Sequence, residues 1–99
     1  KAEDVVIRKN EFLRQFESNV KDHLIAIEYS DNERNIFLSK LKFNTDIHSE
    51  DIVNNFIKAV LDDLKEKEIK IVPASPYFKK FIRKNRLLYK KMLPIGMAI

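Results

Sequence analysis

The sequence predicts an α/β fold: a mixed sheet with antiparallel N-terminal strands, a central βαβ crossover and a C-terminal helix. Three observations carry that expectation. Residues 24–29 and 36–43 are rich in β-branched and aromatic residues and flank the polar stretch Ser30-Asp31-Asn32-Glu33, the pattern of an antiparallel hairpin. Apolar residues then fall at Ile52, Val53, Phe56, Ile57, Val60, Leu61 and Leu64, one stripe of a helix with 3.6 residues per turn. After the helix, Ile69, Ile71 and Val72 form a short β-branched run stopped by Pro73, since proline cannot donate to a sheet ladder. Strands first and an αβα section last indicate a sheet with helices packed on it.

Taken in order, residues 5–7 are a β-branched run and read as a first strand. Residues 12–17 fit two patterns. Phe12, Leu13 and Phe16 suit a helix face, while Phe12, Arg14 and Phe16 suit strand alternation. In 36–43, Ile36, Leu38 and Lys40 are expected to share one face, but Phe37, Leu41 and Phe43 break simple alternation. A sheet covered on both faces would account for that. Ser49 is the expected N-cap of the long helix, because its hydroxyl can accept a free first-turn amide. Glu50 and Asp51 suit the positive end of the helix dipole, and Lys65 and Lys67 the negative end. The strand 69–72 then completes a right-handed βαβ unit. Pro76 opens a second helix reaching about Asn85, with Phe78, Phe81 and Ile82 on its apolar side. Leu87, Leu88, Tyr89, Met92, Leu93 and the tail from Ile95 are apolar enough to be expected to pack.

Ninety-nine residues suit a single domain over 1–99 with one modest core. The chain starts at Lys1 rather than Met and so reads as trimmed or processed, with no signal-peptide pattern. No apolar run approaches the roughly 20 residues that span a bilayer, and no membrane partner is expected. Without cysteine there is no disulfide, no thiolate nucleophile and no Cys-ligated metal, as suits a cytoplasmic protein. Gly96 is the single glycine, which excludes a glycine-rich phosphate loop. The net charge is +4 and the pI about 9.3. From Lys79 to Lys91 lie seven cations (Lys79, Lys80, Arg83, Lys84, Arg86, Lys90, Lys91) and no acid. Lys79, Lys80, Arg83 and Lys84 stand opposite the apolar side of their helix, as on a solvated face; read functionally, the run is a site for an anionic partner. The interleaved aromatics fall on the other side and favour packing over base stacking.

The residue order resembles the GNAT N-acetyltransferase superfamily, and more narrowly its small single-domain CG-type acetyltransferase-like family. The resemblance runs from about Ile7 to Tyr89. It rests on Asn10, Phe16-Glu17, Ala26 with Tyr29, Ile36 and Leu38, the helix through Ala59 to Leu61, and Pro73 followed by Pro76-Tyr77 and Ile82-Arg83. It implies a mixed sheet with acetyl-CoA held across a splayed pair of strands, the pyrophosphate on the turn before the central helix, and an amine acceptor. The cofactor-binding residues it implies are His48, Ser49, Asp51, Ile52 and Val53. No catalytic residue is assigned and no metal is expected.

The same alignment marks departures. The small family's Arg-Gly-x-Gly-Ile turn becomes His48, Ser49, Glu50, Asp51 and Ile52, without either glycine. A His-Thr pair on the preceding strand becomes Lys40-Leu41, a cysteine becomes Ser75, and a His-Pro becomes Asn85-Arg86. Serine in a left-handed turn position costs roughly 1–2 kcal/mol. A carboxylate about 5 Å from a phosphate charge is repelled by roughly 3 kcal/mol at an effective dielectric near 20. Asp51 and Glu50 therefore oppose a pyrophosphate more than the lost glycines do.

Acetyl transfer needs a base for the amine and a proton donor for the leaving thiolate. His23 and His48 are acid–base candidates by residue type, though a surface role is the commoner one for a histidine at a strand start or in a polar turn. Tyr77 and Tyr89 are proton donors by type, but beside aromatic neighbours tyrosine is usually core. Ser75 lacks a visible base and suits a turn or cap. Glu28 is a base if it faces a cleft, and an exposed sheet-face carboxylate otherwise. Three functions follow: acetyl transfer from acetyl-CoA to an amine without an acyl-enzyme; a non-catalytic GNAT-fold binding module with a degenerate cofactor turn; or a small basic RNA- or protein-binding domain using Lys79 to Lys91.

Overall fold

The computed structural model describes residues 5–20, 22–32, 35–43 and 50–97. Its strands are β1 (Arg8–Asn10), β2 (Gln15–Val20), β3 (His23–Asp31), β4 (Asn35–Phe43) and β5 (Lys70–Pro73). The helices are α1 (Glu50–Glu66), α2 (Pro76–Lys84) and the short α3 (Arg86–Tyr89), followed by a 3-10 turn, Lys90–Met92. The strands form one sheet in the order β1-β2-β3-β4-β5. Strands β1 to β4 pair antiparallel, and β5 pairs parallel with β4 across α1. The expected mixed α/β sheet, with its hairpin, its crossover and its C-terminal helix, is the observed one.

The stripe on α1 explains how the layers join. Val53, Phe56, Ile57, Val60, Leu61 and Leu64 are buried, and Ile52 is half-buried beside them. Burying each such side chain contributes roughly 1.5–3 kcal/mol, so α1 is held by its packing. Its C-terminus closes without glycine. Glu68 takes a left-handed conformation (φ 59°), and Ile69 N donates to Leu64 O while Glu68 N donates to Lys65 O. These two bonds satisfy carbonyls that the last turn leaves free. In α2, Pro76 sits in the first turn, where its missing N–H costs nothing. Phe78 and Ile82 are buried and Phe81 packs half-buried on the core.

Because side chains alternate along a strand, the register fixes the faces. Phe16 pairs with Ile27, Tyr29 with Leu38, and Ile36 with Ile71. These residues and the buried residues of the helices form one apolar cluster. The helices thus pack on one face of the sheet, and among the described residues no helix lies on the other, although Gln15, Glu17 and Ala26 are buried there.

Four expectations change. The first strand is Arg8–Asn10, not 5–7; Val5 and Ile7 instead rest against the core ahead of it. Residues 11–14 form a turn, with Asn10 Oδ1 accepting Leu13 N and Arg14 at φ 56°. Phe12 is accordingly 93% exposed, and only Phe16 of the ambiguous stretch reaches the core. Lys40 does not share a face with Ile36 and Leu38, because β4 carries a bulge: Tyr29 pairs with Leu38 and Glu28 with Lys40, leaving Ser39 as the extra residue. Of the C-terminal apolar residues, Tyr89, Met92 and Leu93 are buried, whereas Leu87 (101%) and Ile95 (100%) are fully exposed.

Candidate functional site

The site is built around the place where β4 and β5 part. β5 pairs with β4 only over Asn35–Leu38. The last link is Ala74 N donating to Leu38 O at 2.9 Å. Pro73 ends the strand, and Ser75 and Pro76 turn the chain into α2. Beyond Leu38, β4 runs on to Phe43, paired with β3 alone. One backbone edge of residues 39–43 therefore has no strand against it among the described residues. The bulge lies at the same point. Ser39 Oγ donates to Glu28 O at 3.1 Å and pins the extra residue to β3, and a bulge bends its strand where it sits. An open edge of this kind offers amide donors and acceptors to an extended ligand that carries amides.

The start of α1 lies on the helix side of this opening. Asp51 and Glu50 are exposed, Ile52 is half-buried, and Val53 is 3% exposed with its side chain in the core. Val53 and Ile52 spend their side chains on packing, which leaves Val53 only its backbone to offer a ligand. His48 and Ser49, with the rest of the turn they belong to, lie outside the described residues. Between the start of α1 and α2 runs a groove of about 170 Å³ lined by Glu50, Asn54, Tyr77, Lys80, Lys84 and Asn85, with Phe81 at its floor. Burial, and then the Glu50 charge, raise the Tyr77 phenol above its usual value. At neutral pH Tyr77 is a hydrogen-bond donor there, not an anion. Lys80 and Lys84, one helical turn apart, give the groove two positive charges against the one of Glu50.

The other sequence-nominated residues separate. Ser75 is the residue before α2, extended at φ −128°, ψ 156°, and its hydroxyl makes no cap bond. Glu28 points to the uncovered face, since its neighbours Ile27 and Tyr29 point to the core. It pairs with Lys42 Nζ at 3.0 Å, both side chains being about 40% exposed (42% and 39%). His23 begins β3, half-buried, on the β2–β3 side of the sheet. Tyr89 is fully buried and does not line the groove. Its hydroxyl donates to Asp62 Oδ1 at 3.0 Å, its ring stacks on Phe81, and Lys58 and Lys65 approach the ring. Burial and the Asp62 bond push its phenol well above its usual range, which makes it a tie between helices. Among the described residues no three His, Asp or Glu side chains converge as a metal site requires.

Three groups were not legible as site residues. Ser39 is one, although the spacing of Ile36, Leu38, Leu41 and Phe43 (two, three, two) carries the mark of an inserted residue. Asn54 is the second, an ordinary polar residue on α1 until α2 folds against it. The third is a polar cluster around buried Glu17, on the sheet face opposite the helices. Glu17, 7% exposed, accepts from Gln15 Nε2, from Asn10 Nδ2 at 2.9 Å and from Arg8 at 3.3 Å. The Gln15 bond foremost, with those of Asn10 and Arg8, holds its carboxyl below the usual value against the opposing effect of burial. Arg8 reaches Asn19 Oδ1 as well, at 3.5 Å, so the cluster is a polar brace across β1 and β2 centred on Glu17.

A family model described as GCN5-related N-acetyl-transferase matches residues 15–92, from the start of β2 to the 3-10 turn. No curated protein matches the chain.

Proposed function

Since this chain belongs to the GCN5-related N-acetyltransferase family, we propose that it holds acetyl-CoA at the parting of β4 and β5 and transfers its acetyl group to an amine. The observation that carries this reading is the coincidence of the Ser39 bulge with the end of β4–β5 pairing at Leu38 and Ala74. The free edge of residues 39–43 suits the two amides of a pantetheine arm. The groove with Lys80, Lys84 and Tyr77 suits a phosphate-bearing end. The start of α1 suits it less, because Glu50 and Asp51 stand where the pyrophosphate is expected.

When bound, the cofactor supplies an acyl group on a thiol leaving group; the chain supplies position and proton transfer. The helices close one face of the sheet at the opening, so the amine approaches from the uncovered face. Glu28 is on that face, one strand in from the free edge, and takes the amine proton directly or through one water, while the thiolate released as the C–S bond breaks takes its proton from solvent. Lys42 pairs with Glu28, and a half-exposed pair of this kind is weak enough to release it. No cysteine is present to form an acyl-enzyme, so transfer is direct and both substrates bind together.

The reading is tested by calorimetric titration of acetyl-CoA and CoA at low salt, with acetylation of a panel of amines measured in parallel. Saturable binding with turnover supports it, and a Glu28→Gln variant then keeps binding and loses rate. No heat and no thermal shift at millimolar CoA would end it. A second reading, a non-catalytic binding module on the same fold, is favoured specifically by Glu50 and Asp51 at the start of α1. In that case wild type stays silent, and glycine at Ser49 and Asp51 together creates CoA binding.

A further inference from the structure

The cationic run does not form one surface. Lys80 and Lys84 face the groove toward α1. Arg86, Lys90 and Lys91 line a different groove of about 380 Å³ on the far side of α2, with Leu93, Pro94 and Ile95. No carboxylate lines this second groove, and none occurs anywhere from Lys79 to Met97. Leu87 follows the groove residue Arg86 directly in the chain, and Ile95 lines the groove itself. The inward side of this turn is taken by buried Tyr89 and Met92. Leu87 and Ile95 are therefore fully exposed aliphatic tips that flank Arg86, Lys90 and Lys91 along the chain.

We propose that this C-terminal surface docks the protein on an anionic phospholipid bilayer, as a peripheral contact. Phosphate headgroups settle among Arg86, Lys90 and Lys91, and Leu87 and Ile95 enter the acyl boundary beside them. Peripheral anchoring typically combines a polybasic patch with a small apolar insertion, and this surface presents both. Nucleic acid fits less well, because no aromatic ring lines the groove to stack a base. An acidic protein partner fits less well because the apolar side chains protrude as tips, whereas a partner's anchor needs a pocket to fill. The sequence alone led to the opposite expectation, no membrane partner, since it measured only spanning segments. Among the described residues there is indeed no helix long and apolar enough to cross a membrane. The exposure of Leu87 and Ile95 is what the fold adds.

The test is co-sedimentation of the 99-residue chain with phosphatidylcholine vesicles, with and without phosphatidylserine. Binding is expected only with phosphatidylserine and weakens as salt is raised. Leu87→Ser with Ile95→Ser lowers that binding at least roughly tenfold, while Leu24→Ser, an exposed leucine on β3, leaves it unchanged. Lys90→Glu with Lys91→Glu abolishes it. All the substituted side chains are exposed, and an unchanged melting temperature checks that folding is intact. Equal binding to both vesicle types, no binding to either, full binding by the serine variant, or displacement by single-stranded RNA at equal charge overturns the proposal.

Discussion

Ser39 Oγ donates to the backbone carbonyl of Glu28 at 3.1 Å, from the residue that the β3–β4 ladder skips between Leu38 and Lys40. The bond holds an irregularity at the point where β4 leaves β5.

Deleting Ser39 removes the extra residue and leaves Tyr29–Leu38, Glu28–Lys40 and Ile27–Leu41 as consecutive pairs, so Leu41 keeps the core face and only the bulge is lost. The deletion should therefore cost roughly 1 kcal/mol or less, the size of one exposed hydrogen bond. Ser39→Ala keeps the extra residue, loses one exposed hydrogen bond and should cost about 1 kcal/mol or less. Urea unfolding should give the two variants similar midpoints, and a deletion much less stable than Ser39→Ala would show that the ladder does not close over the missing residue.

Tyr89 is buried, and its hydroxyl reaches Asp62. Tyr89→Phe should cost about 1 kcal/mol, the ring packing being kept. The folded chain raises this phenol above its ordinary value of 10.0. Its contribution is therefore whole below pH 10.0 and is lost as pH rises toward the folded value, where the unfolded chain ionises first. Thermal melts across the alkaline range should show wild type losing stability more steeply than Tyr89→Phe.

Glu17 behaves in the opposite sense. Its carboxyl is held below its ordinary value of 4.5. The stabilisation is present above that value and disappears as pH falls through it toward the folded pKa. Glu17→Gln should be less stable than wild type by about 1–3 kcal/mol at neutral pH, and the two should converge in acid. A gap that stays constant down to the acid transition would assign the loss to packing.

Glu68 holds the left-handed position after α1 that glycine usually takes. The residue is exposed, so its side chain has little packing to lose. Glu68→Gly should raise stability by about 1 kcal/mol, seen as a melting temperature about 5 °C higher for a domain of this size. An unchanged or lower melting temperature would mean that the flexibility of glycine in the unfolded chain offsets the relief.

Much of the fold was legible because its signals are local. The seven-residue stripe, the β-branched run before Pro73 and the helix-opening Pro76 each depend on neighbours within a turn or a strand. Residues 12–17 were ambiguous for the same reason: Phe12 and Phe16 look alike until the Asn10–Arg14 turn exposes one and β2 buries the other. In the candidate site, Glu28 was nominated but its face was not, and Ser39 and Asn54 were passed over. Their roles come from a register shift and from a helix packed across them.

The sequence by itself determined the order of elements from β3 to α2, the apolar stripe that seats α1, the family likeness, and the loss of glycine from the turn before α1. Those follow from side-chain period, backbone freedom and charge, which act along the chain. The tertiary structure decided which sheet face the helices cover, where β4 and β5 part, that Glu17 centres a polar brace, and that the cations after Lys79 divide between two grooves. Each of these depends on contacts between segments distant in sequence, where a one-residue shift in register or a break between α2 and α3 reverses which side chains meet.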